Sequence, residues 1–150
     1  MLATITPVMV LYFLMSGMCS PFRWGMYIDA WRSTVPINFY GRVLDDNGRP
    51  VDHVEVHVRI AKVNPAFIFG GHHWLSEDKF IVYTDKNGQF TISKRRGRSL
   101  SIETMTKAGY SYERQDNKVT SFYYYPGTSI HHADPHEPVE FLLRYAGQKP

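Results

Sequence analysis

A chain of 150 residues with 43% apolar content is long enough to close one hydrophobic core without disulfides or a structural metal. Its formal net charge of +3 is too mild to call for a nucleic-acid partner, and the 15% aromatic content, mostly Tyr and Phe, favours strands. The single cysteine, Cys19, excludes an intramolecular disulfide and a cysteine-only metal site.

Residues 1–22 carry no charge, and residues 8–15 form an unbroken apolar run ending at Ser16-Gly17. That length suits the core of a signal peptide and falls short of the ~20 apolar residues of a transmembrane helix. Residues 1–19 are therefore expected to export the chain, as a cleaved signal, a membrane anchor, or a lipoprotein signal with Cys19 as the lipidated residue. Two features depart from the usual patterns. No Lys or Arg precedes the apolar run, and Met18 stands where a lipoprotein signal carries Gly, Ala or Ser. Residues 20–36 read as a linker in which Trp24, Tyr27, Ile28 and Trp31 share one helical face, either at a membrane interface or packed on the sandwich edge. Pro36 closes it.

From residue 37 to 146 the pattern is that of short strands. Val54, Val56, Val58 and Ile60 alternate with His53, Glu55, His57 and Arg59, placing apolar and polar residues on opposite faces. Strands are expected near 37–45, 51–61, 79–84, 89–94, 99–106, 119–125 and 138–145. Asp46-Asn47-Gly48, Asn87-Gly88, Arg96-Gly97 and Lys107-Ala108-Gly109 serve as hairpin turns between them. Without helical crossovers, an α/β fold is excluded and an all-β antiparallel sandwich is the expectation.

Gly41-Arg42-Val43, Asp46-Asn47-Gly48-Arg49-Pro50-Val51, Val54, residues 84–90 (TDKNGQF) and Ala108-Gly109-Tyr110 together resemble the carboxypeptidase regulatory-like domain. The resemblance implies a seven-stranded Greek-key sandwich of the transthyretin (prealbumin) type, exported and serving as an accessory or binding module. It carries no catalytic residues across. Residues 132–141 also look like a segment of bacterial members of unknown function.

Candidate chemistry is sparse. Asp45, Asp46 and Asp85 lack the alternating oxygen ligands and closing Glu of a calcium loop, so they read as turn formers. His53 and His57, on one strand face, are ~13 Å apart and cannot share a zinc ion. His72, His73, His131, His132 and His136 fall in expected loops, where a metal site is geometrically open to them, with Asp134 and Glu137 as further ligands. With Tyr123, Tyr124 and Tyr125, they make a metal-dependent enzyme with His/Tyr ligands the alternative to a non-catalytic module. No cofactor is expected. The apolar stretch 62–79, with Phe67, Phe69 and Trp74, reads as a recognition loop for a protein, peptide or glycan at the cell envelope, or as a flap over one end of the sandwich. Lys94, Arg95, Arg96 and Arg98 form a basic turn that suits anionic surfaces or plain solvation.

Overall fold

The computed structural model describes residues 28, 32, 34–64, 75–112, 120–125 and 130–146. Apart from helical backbone at Ile28 and Arg32, the described chain is strands and turns. Eight strands follow one another: β1 (Val35–Asp45), β2 (Glu55–Val63), β3 (Leu75–Tyr83), β4 (Gln89–Gly97), β5 (Ser99–Thr106), β6 (Tyr110–Ser111), β7 (Ser121–Tyr123) and β8 (Val139–Tyr145). They make two four-stranded sheets, β4-β1-β8-β6 and β3-β2-β5-β7. Neighbouring strands are antiparallel except β1 and β8, which run parallel from Gly41↔Val139 to Asp45↔Leu143. The two-residue β6, which pairs with β8, is the strand that the sequence pattern does not signal.

The alternation does what its period requires. Val54, Val56, Val58 and Ile60 are almost wholly buried, and they meet Ile37, Phe39, Val43, Phe90 and Ile92 from the facing sheet in one core. Each such side chain, once removed from water, contributes about 1.5–3 kcal/mol. Phe39 sits at the centre, its ring 4.7 Å from that of Phe122, 5.9 Å from Phe90 and 6.4 Å from Phe141. Gly41 leaves room for the neighbouring ring, since a Cβ there would stand 2.2 Å from Cζ of Phe90.

The turns at Asp46-Asn47-Gly48, Asn87-Gly88 and Lys107-Ala108-Gly109 close as expected, whereas Arg96-Gly97 lies within β4 and the chain bends at Arg98; none of these corners joins paired strands. At Asp45 the carboxylate accepts the backbone N–H of Asn47 and of Arg49, each at 2.8 Å; at Asp85 it accepts those of Asn87 and Gln89, also at 2.8 Å. These are twin Asx-turns, and they abut. Val43 donates its N–H to the Gly88 carbonyl and accepts the N–H of Val51. Beyond each turn the chain crosses to the other sheet, so β1 and β2, β3 and β4, β4 and β5, and β5 and β6 are not hairpin partners. The expected hairpins at these corners are corrected to sheet-switching connections. Turn chemistry specifies where a strand ends, whereas the choice of the next sheet follows from burying both apolar faces at once. The connection is pinned by Thr84, buried at 3% exposure, whose hydroxyl donates to the Val51 carbonyl and accepts the Val54 N–H.

Candidate functional site

The outward face of the β3-β2-β5-β7 sheet gathers the chain's surface chemistry. Strand pairing aligns Ile81 with His57, Tyr83 with Glu55, and Lys79 with Arg59. Across β2 the register slips between His57 and Val58, because β5 carries one extra residue at Glu103. That bulge keeps Ile102 and Met105 in the core and turns Glu103 outward. Its carboxylate there takes Nε of Arg59 and Nζ of Lys79, each at 3.3 Å. Arg59 also reaches Glu77 at 3.1 Å through Nη1, and His57 meets Glu55 at 3.2 Å. A shallow depression of about 310 Å³ lies among His57, Lys79, Ile81 and Glu103. On the far side Tyr123 stands edge-on to Tyr125, and the guanidinium of Arg98 lies 3.9 Å above the Tyr125 ring.

Among the described residues the expected ligands do not converge. His131 donates its backbone N–H to Tyr123, and its ring packs 4.9 Å from Phe122, 5.4 Å from Phe39 and 5.7 Å from Tyr124. Burial first, and then the neighbouring His132, hold its imidazole below the ordinary value of 6.5. His132 and His136 are exposed, and Asp134 is engaged in a turn through the N–H of His136. Among the described residues no three His, Cys, Asp or Glu side chains are grouped to hold a metal. His72, His73, Phe67, Phe69 and Trp74 lie outside the described residues, as do residues 1–27 with Cys19. Of the tyrosine run, Tyr124 is buried and donates its hydroxyl to the Asn38 carbonyl; burial pushes its phenol well above the ordinary value.

Comparison with family models, curated proteins and solved structures returns no match.

The basic turn is partly absorbed by the fold: Arg96 donates to the Thr34 carbonyl, Arg95 lies 4.6 Å over the Phe80 ring, and Arg98 caps Tyr125. At the start of β2, His53 has a positive φ of 47° and meets Asp52 at 3.1 Å. Asp52 also takes the Lys107 ammonium at 2.6 Å, and these hydrogen bonds, Lys107 foremost, hold its carboxyl below the usual carboxylate range. His53 precedes the strand that was expected to carry it. On the outer face of the β3-β2-β5-β7 sheet, exposed aliphatic and aromatic side chains flank a band of paired charges. Sequence reasoning missed this face because Ile81 and Tyr83 alternate like core residues, and nothing local says that their side faces out.

Proposed function

We propose that this chain is an exported, non-catalytic accessory module that binds a protein, peptide or glycan at the cell envelope through the outer face of its β3-β2-β5-β7 sheet. One observation carries the reading. Of the seven large apolar side chains exposed among the described residues, five (Leu75, Ile81, Tyr83, Tyr123 and Ile130) lie on β3, on β7 or on the bridge beside β7. A surface that had no partner would scatter such residues singly. The resemblance to carboxypeptidase regulatory-like, transthyretin-like sandwiches supports the same reading, and the repeated switching of the chain between two sheets favours a Greek-key course. The apolar run in residues 8–15 supports export and membrane association through the N-terminus.

The test is site-specific photocrosslinking of the full chain in the cells that produce it. A photoreactive residue at position 81 or 123 is expected to capture an envelope component, whereas one at Thr91, on the exposed side of the other sheet, captures none. Protease-sensitive products mark a protein or peptide, and glycosidase-sensitive ones a glycan. Equal capture at all three positions, or none at 81 and 123, removes the reading.

A further inference from the structure

Each sheet ends in two edge strands, and natural edges are guarded because their free backbone groups invite another strand. Three of the four edges here are shortened or bulged, while β3 relies on its charges alone. β6 spans two residues and β7 three. β4 is broken by a bulge, where its pairing with β1 shifts between Ile37 and Phe39, and Lys94 there adopts φ 59°. β3 has none of these. It holds nine consecutive pairs with β2 from Leu75↔Val63 to Tyr83↔Glu55 without a shift. Its charges are turned back into its own sheet: Glu77 to Arg59, Lys79 to Glu103, and Asp78 to Lys62. Among the described residues no strand lies on its outer side.

We propose that this edge is taken by a second copy of the chain. The two β3 strands pair antiparallel about a twofold axis at Phe80, so that their sheets become one. Charge permits a second copy as the occupant and selects the register. A twofold axis perpendicular to a sheet sets opposite each other residues that point to the same face. Centred on Lys79, the pairing opposes two ammonium groups; centred on Asp78, it opposes two carboxylates. Centred on Ile81, it engages only residues 79–83. Centred on Phe80, it engages residues 77–83 of each copy and opposes no like charges: Glu77 faces Tyr83, Asp78 faces Val82, and Lys79 faces Ile81. The Glu77 carboxylate can then accept from the Tyr83 hydroxyl, and the Lys79 stem lies along Ile81. The exposed side chains of Ile81 and Tyr83 would thereby gain cover that their own sheet does not give them.

The mass of the full chain in a mild detergent, followed by light scattering over the micromolar range, tests this. The wild type is expected to be a dimer. Ile81→Lys faces Lys79 of the second copy and Tyr83→Glu faces Glu77. Each should raise the dissociation constant about tenfold, because the symmetry installs every repulsion twice. Tyr83→Lys, facing Glu77, should dimerise at least as well as the wild type. Both positions are exposed, so thermal unfolding of the monomer should hold in all three variants. A monomeric wild type overturns the proposal. So does assembly that ignores the three variants, or that Tyr83→Glu and Tyr83→Lys weaken alike. The pairing uses the backbone edge of β3 and partly covers Ile81 and Tyr83, so a crosslink from position 81 to a second copy reports the pairing, and one to another component reports envelope binding. Loss of capture at positions 81 and 123 with an intact dimer removes only the binding reading, and the reverse removes only the pairing.

Discussion

At the scale of single residues, the most consequential side chain is His131. In the sequence it is a loop histidine with an open metal role, yet its imidazole is wedged among three core aromatics. Nothing in His131-His132 distinguishes a ligand from a packing ring, because the difference lies in Phe39, Phe122 and Tyr124, far away in the sequence. The packing has a pH signature. The folded imidazole titrates below the 6.5 of the unfolded chain, since burial and then His132 disfavour its charge. As pH falls, the unfolded chain takes up the proton first. The stability that His131 contributes is therefore complete above about 6.5 and is lost as pH drops toward the folded value. His131→Phe keeps the ring contacts and removes this loss. Melting curves at about pH 8 and about pH 5 should diverge less for the variant than for the wild type. A wild-type melt that is equally stable at both would contradict the assignment.

At the scale of elements, the strands were legible and their destinations were not. Val54 to Ile60 announced a strand with one apolar face, and they are buried as that pattern requires. The twin Asp-x-Asn-Gly phrases announced corners, and both close on an aspartate carboxylate. Neither phrase could say that the following strand belongs to the opposite sheet, which depends on the whole core. Bulges were equally silent. Lys94 occupies a left-handed backbone position that suits glycine, so Lys94→Gly should raise stability by about 1 kcal/mol once the strain of a Cβ there is removed. Urea unfolding reads this directly. A destabilised variant would mean that the lysine side chain matters more to β4 than its backbone strain does.

At the scale of the molecule, one ring ties the two sheets together. Phe39 on β1 touches Phe90 and Phe141 of its own sheet and Phe122 of the other. Phe39→Ala should cost about 3–5 kcal/mol, with both sheets lost in one transition when followed by far-ultraviolet and aromatic signals together. Two separated transitions would show that the sheets hold independently. The apolar alternation made a shared core legible, but not which ring lies at its centre. That depends on residues far apart in the chain, as Phe39 with Phe122, 83 residues on, and with Phe141, 102 residues on, illustrates.

The parallel match of Gly41–Asp45 with Val139–Leu143 sets the timing of the molecule's assembly. The central strand β1 waits for β8, a neighbour synthesised about 100 residues later. While the chain is still on the ribosome, one flank of β1 stays bare and the core stays unsealed. The core thus stays open until β8 has emerged and paired with β1.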